Sequence, residues 1–161
     1  MKFKDGTLAK LAEMICGNEP FLYFPYRSSS YLTKFFNEIE LDYKHDGSTR
    51  SAWVEDVLKE LNNISSKYQE LPSKEMIKFI ENLIDQDKYI FDDKLDLKKA
   101  RDDVNRLLKN YGLKLSISQN GSTRVVSETT SFISTDTDSI PERAITFSPA
   151  VFKVPQKEVN S

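Results

Sequence analysis

The sequence predicts a mostly α-helical fold: a five-helix domain ending in a β-hairpin, followed by an irregular C-terminal arm. Three observations predict it. Apolar residues recur three and four apart in five separate windows. One alternating apolar-polar stretch flanks Asn120-Gly121. From residue 128 onward both patterns stop, and Ser, Thr, Asp and Pro take over.

The first helix is expected over residues 7–16, where Leu8, Leu11, Ala12 and Ile15 share a face and Gly17 stops the helix. Phe21 to Tyr26 follow as an aromatic run. Pro25 bars it from a helix interior or central strand, so it reads as an extended segment laid on the core. Ser28 to Ser30 cap a second helix with Tyr31, Leu32, Phe35, Phe36 and Ile39 on one side. A turn at Asp46-Gly47-Ser48-Thr49 opens a third, bearing Trp53, Val54, Val57, Leu58 and Leu61, with Trp53 as a core anchor.

Ser73 caps a fourth helix carrying Met76, Ile77, Phe79, Ile80, Leu83 and Ile84. Asp96 caps a fifth, striped by Leu97, Ala100, Val104, Leu107, Leu108 and Tyr111 and closed by a left-handed Gly112. Leu113, Leu115 and Ile117 then alternate towards a two-residue turn at Asn120-Gly121, with Val125-Val126 returning. The domain is expected to span 1–127. Residues 128–161 read as a linker or arm towards a further domain.

Bulk composition narrows the class. With 161 residues the chain can bury a core without disulfides or metals, and its net charge of −2 offers no global basic field for nucleic acid. One cysteine excludes an internal disulfide, and Cys16 at the end of the first helix suits a small buried filler. No stretch approaches the length of a membrane span, and the N-terminus has no secretory core. A cytoplasmic protein is expected.

Little in the sequence supports an active site. His45, the only histidine, sits in Tyr43-Lys44-His45-Asp46-Gly47-Ser48-Thr49-Arg50. Asp, Ser and Thr before a helix are turn formers and caps, and that reading is preferred. Two others stay open. One is an anion held at a helix start by hydroxyls and an arginine. The other is a small hydrolase built on His45, which would need a reactive oxygen or sulfur against that ring in an open cleft.

A calcium loop at Asp85 fails, because Tyr89 and Ile90 stand where a ligand and a glycine belong. Asp102-Asp103 are instead expected to pair with Lys99 and Arg106 at i,i+4 spacing. One Cys and one His cannot build a zinc site, and no cofactor motif occurs among five glycines. No metal or cofactor is expected.

Residues 98–124 carry seven cations against two acids, in a helix followed by a hairpin. In a winged-helix-like regulator, Lys98, Arg101, Arg106, Lys109, Lys114 and Arg124 would face DNA phosphates. The preferred reading is a solvated helix face and a lysine-protected edge strand.

Two stretches carry a resemblance. Phe24-Pro25-Tyr26-Arg27-Ser28-Ser29-Ser30 runs into Tyr31-Leu32-Thr33-Lys34-Phe35-Phe36. Leu41-Asp42-Tyr43-Lys44-His45-Asp46-Gly47 continues through Ser48-Thr49-Arg50-Ser51-Ala52-Trp53-Val54. Together with the ending Asn110-Tyr111-Gly112-Leu113-Lys114-Leu115, these resemble the N-terminal domain of AbiJ-type bacterial abortive-infection proteins, over about residues 5–127.

The resemblance implies a non-enzymatic sensor or regulatory domain in anti-phage defence. Its partners would be an effector domain, in the same full-length protein or on a partner chain, and a phage-derived trigger. The effector would be a TIR-like domain or a HEPN-type nuclease. The closely spaced arginine and histidine of the nuclease are missing, since Arg27 stands far upstream of His45. The resemblance does not identify the trigger. The candidate binding patch is Tyr26, Arg27, His45, Asp46, Ser48, Thr49 and Arg50, polar residues dense around two helix starts where backbone N–H groups point outward. An equally good reading has the motif simply fix two caps and a buried tryptophan.

Overall fold

The structure, a computed structural model, describes residues 1–128. Met1–Val125 form one compact unit. Of the second unit, Val126–Ser161, only the end of the last strand and Glu128 are described, so the expected arm lies outside the described residues.

Five helices and a two-stranded antiparallel hairpin follow in the expected order. They are α1 (Asp5–Cys16), α2 (Ser29–Glu38), α3 (Arg50–Asn63), α4 (Lys74–Leu83), α5 (Leu97–Lys109), β1 (Leu113–Ile117) and β2 (Thr123–Ser127). A single 3-10 turn, Gln86–Lys88, interrupts the link between α4 and α5. No helix among the described residues is long and apolar enough to cross a membrane.

The apolar stripes explain the packing. α1 lies along α3, α3 meets α4, and β1 rests on α5. At the centre Phe36 stacks on Phe79 at 5.9 Å, while Phe35 meets Phe79 edge-on at 5.6 Å. Such ring pairs add about 0.5–1.5 kcal/mol each beyond the area they bury. Asn62 ties the N-terminal strand of chain to α3, its amide both accepting from the Phe3 N–H and donating to the Phe3 carbonyl, each at 2.9 Å. A buried amide satisfied on both sides costs little.

Helix starts follow two patterns. Ser73 and Asp96 cap as expected, accepting from the Met76 and Lys99 N–H groups at 3.2 and 3.0 Å. Ser28 and Thr49 occupy cap positions but make no side-chain cap bond. The Ser28 hydroxyl is turned to Ser30 Oγ instead, at 3.3 Å.

Four further expectations need correction. The aromatic run is not extended throughout, because Phe24 N–H bonds to the Phe21 carbonyl in a turn before the chain straightens. Trp53 is half-buried rather than a core anchor, lying edge-on to Phe36 and His45 at the rim.

The hairpin turn has three residues, Gln119 to Gly121, not two. Gly121 N–H bonds to the Ser118 carbonyl, and Ser118 N–H to the Ser122 carbonyl. Gly121, at φ 86°, takes the left-handed bulge position, and Asn120 keeps a negative φ. On α5 the ion pairs are Lys98–Asp102 at 3.1 Å and Arg106–Asp103, rather than Lys99–Asp103 and Asp102–Arg106. Asp103 is buried and also accepts from the Tyr23 hydroxyl, while Lys99 lies over the Tyr23 ring at 4.4 Å.

Side chains also blunt the hairpin's edges. Leu115 N–H donates to Asn105 Oδ1 at 2.8 Å, and Val125 N–H to Glu81 Oε2 at 2.9 Å. Outward-facing strand N–H groups otherwise invite another chain.

Candidate functional site

A helix ends with four carbonyls that have no intrahelical partner. At the end of α1 all four are accounted for. Gly17, at φ 67°, reverses the chain, so that Gly17 N–H reaches the Met14 carbonyl and Asn18 N–H the Glu13 carbonyl. Arg27 Nη1 donates to the Ile15 carbonyl at 3.1 Å, and Arg50 Nη1 to the Cys16 carbonyl at 3.1 Å. Two cations at the negative end of a helix also gain from its dipole.

Gly17 is required for a second reason. A Cβ there would lie 2.8 Å from the Pro25 carbonyl oxygen, because the incoming segment crosses directly over it.

Arg27 is 6% exposed, and its guanidinium covers the Phe35 ring at 4.8 Å. It enters no ion pair among the described residues, and burial lowers its pKa to about 10. Arg50 holds the other side of the joint. It donates to the Arg27 carbonyl and to Asn18 Oδ1, both at 2.8 Å, and lies over the exposed Tyr26 ring at 4.5 Å.

Tyr26, Arg27 and Arg50 are therefore brought together, but around a backbone terminus. Cys16, at the same joint, is fully buried, and burial pushes its thiol up to about 11.

His45 belongs to a second cluster. Its N–H donates to Thr33 Oγ1 at 2.9 Å, and its Nδ1 lies 2.6 Å from Ser29 Oγ and 3.2 Å from the Gly47 nitrogen. Gly47 N–H can only donate, so Nδ1 is an acceptor, the Ser29 hydroxyl donates, and the ring proton sits on Nε2. That Nε2 is buried without a hydrogen-bond partner, and the ring meets Trp53 edge-on at 5.0 Å.

Asp46 turns away to Ser48, accepting from both its N–H and its hydroxyl, and these bonds hold the Asp46 carboxyl below its usual pKa. The Thr49 carbonyl accepts from Trp53 N–H as α3 begins. A shallow open depression beside the ring is lined by Ser28, Ser29, Ser30, Thr33, Lys44 and His45.

A hydroxyl thus does stand against the imidazole, and it comes from Ser29 rather than from the neighbours in sequence. The geometry of a nucleophile and its base is only half present. The Nδ1 lone pair is divided between Ser29 and Gly47, and the opposite nitrogen lacks the acceptor that would stabilise an imidazolium. Proton transfer from Ser29 would set an Nδ1–H against the Gly47 N–H. The contacts suit a ring that locks the loop between α2 and α3.

Sequence reasoning missed Asn18, Ser29 and Thr33 at these joints. The serine run at the head of α2 was the available signal for Ser29. Nothing local marks Asn18, which is recruited by Arg50 across 32 residues.

Of the six cations placed against DNA, three are occupied within the fold. Lys98 and Arg106 are in ion pairs, and Arg101 donates to the Gly121 carbonyl and to Thr123 Oγ1, tying the hairpin to α5. Lys109, Lys114 and Arg124 are exposed and enter no ion pair among the described residues. Among those residues no three His, Cys, Asp or Glu side chains gather as a metal site would need.

No family model, curated protein or solved structure matches the chain.

Proposed function

We propose that this chain is a non-enzymatic sensor or regulatory domain of a bacterial abortive-infection protein, controlling an effector fused or bound to it. One observation carries the reading. The polar residues in the stretch behind the resemblance serve as internal joints, with Arg27 and Arg50 on the carbonyls of α1 and His45 locking the loop before α3. Side chains used in this way give a rigid body that acts through what it contacts.

The test is to express the chain alone. It is expected to be non-toxic and inert towards RNA, DNA and NAD. Turnover of any of these that disappears in Ser29→Ala and His45→Ala would overturn the proposal and establish the Ser29–His45 pair as catalytic.

A second reading, a winged-helix-like DNA-binding regulator, is favoured by Lys109, Lys114 and Arg124, three exposed cations with no acid between them. Three phosphate contacts would lower the logarithm of affinity by roughly 2–3 per decade of salt. A low-salt mobility shift without retention would remove this reading.

A further inference from the structure

The only histidine and the only tryptophan of the chain meet at the loop between α2 and α3. His45 is 8% exposed, and three hydrogen bonds run through it. Its backbone N–H donates to Thr33 Oγ1 at 2.9 Å. Its Nδ1 accepts from the Ser29 hydroxyl at 2.6 Å and from Gly47 N–H at 3.2 Å. One ring nitrogen thus fastens the loop both to α2 and to itself.

These contacts suit a neutral ring. Nδ1 is met by two donors, and the proton on Nε2 is buried with no acceptor. A second proton, taken from solvent, has to enter at Nδ1. Ser29 can accommodate it, because a hydroxyl turns from donor to acceptor. Gly47 cannot, because a backbone N–H only donates. Two N–H groups would then face each other, and a buried cation would be left with Nε2 unsatisfied.

The charges around the ring do not offset this. Its bonding and ring partners are uncharged, namely Ser29 and Thr33 of α2, Gly47 of the loop and Trp53 of α3. Lys34 of α2 lies over the Tyr31 ring, and Arg50 at the start of α3 is turned to the Cys16 and Arg27 carbonyls. Lys44 lines the depression beside His45, where its ammonium opposes a second positive charge. The adjoining Asp46 carboxylate attracts the proton, but it is exposed and already held by Ser48.

Gly47 is free to leave. It is exposed at φ 87°, and a Cβ there would meet nothing within 4 Å. Its turn, Asp46 to Thr49, leads directly into Arg50, which joins α3 to the end of α1.

We propose that His45 is a proton-operated latch. The neutral ring closes the loop on α2, and protonation at Nδ1 releases Gly47 and the turn before α3. This goes beyond the sensor reading and does not depend on it.

The test titrates the full 161-residue chain from pH 8 to 5, where imidazoles take up a proton and most carboxylates do not. At pH 8, two-bond proton–nitrogen spectra should place the single ring proton on Nε2. As the pH falls, the Gly47 amide resonance should move upfield with the loss of its bond. Emission from Trp53 should change over the same midpoint. His45→Asn sets an amide oxygen near the place of Nδ1, an acceptor that takes no proton. Both signals should then stay flat, while a carboxylate such as Glu81 titrates in both proteins. Four results would each overturn the proposal: a ring proton on Nδ1 at pH 8, a ring that takes up no proton by pH 5, a Gly47 amide that stays fixed while the ring is protonated, or His45→Asn signals that follow the parent's curve. The first three need no variant, so they decide the matter even where His45→Asn fails to fold.

Discussion

Replacing Arg50 by alanine removes three hydrogen bonds from one cation, to the Cys16 and Arg27 carbonyls and to Asn18 Oδ1, at 3.1, 2.8 and 2.8 Å. It also removes the guanidinium from the Tyr26 ring. Hydrogen bonds to a charged group contribute about 1.5–3 kcal/mol each, and an exposed cation–π contact about 0.5–1 kcal/mol. The side chain is only half-buried, so water can replace part of what is lost. Taking the low end for two bonds and letting water substitute for the third gives about 3 kcal/mol, or a fall in Tm of roughly 10 °C for a domain of this size.

Arg50→Lys separates charge from shape. One ammonium keeps the favourable charge at the helix end but cannot span three acceptors, so it should recover only about 1 kcal/mol. Urea and thermal unfolding followed by circular dichroism measure both variants. An Arg50→Ala protein within about 0.5 kcal/mol of the parent would refute the assignment of Arg50 as a structural joint. A parent stabilised by added phosphate, with the effect lost in Arg50→Ala, would refute it too, by revealing an anion site.

Glu81 and Cys16 provide two further checks. Burial raises the Glu81 pKa, against the opposing pull of Val125 N–H and Arg124, so Glu81 favours the fold in its protonated form. Its contribution is complete at acid pH below the unfolded carboxylate range and is lost as pH rises through the raised value. Glu81→Gln keeps an acceptor for Val125 N–H without the charge. It is expected to be more stable than the parent at neutral pH and to match it in acid, and equal urea midpoints at both pH values would contradict this. The Cys16 thiol, buried and raised to about 11, should resist iodoacetamide in the native protein and react once it is unfolded in urea, as read by mass spectrometry. Rapid native alkylation would show that the end of α1 opens.

The parts of the fold legible in the sequence were those decided locally. Met76, Phe79, Ile80 and Leu83 recur at helical spacing because a helix must hide one face, and all four are fully buried. Ser73 and Asp96 could be read as caps because a short polar side chain there reaches an N–H three residues on. Asn120-Gly121 marked the hairpin but not its length, since Asn-Gly suits a two-residue turn as well as the second and third positions of a bulged three-residue one. The roles of the motif residues were not legible. Arg27 and Arg50 were visible as cations, yet their acceptors are carbonyls of α1, 12 and 34 residues away.

From the sequence alone came the helix count, the helix order, the hairpin and most of each buried stripe, set by hydrophobic periodicity and short-range caps. Tyr31 and Ile117, read onto the apolar faces, are exposed. Only the tertiary structure decided that Ser29 rather than a sequence neighbour meets His45, that Asp103 is buried under Tyr23, and that Phe91 is left in water. A backbone carbonyl or a hydroxyl carries no mark in the sequence of the distant side chain that will reach it. Such pairings exist only once the packed helices have brought their ends together.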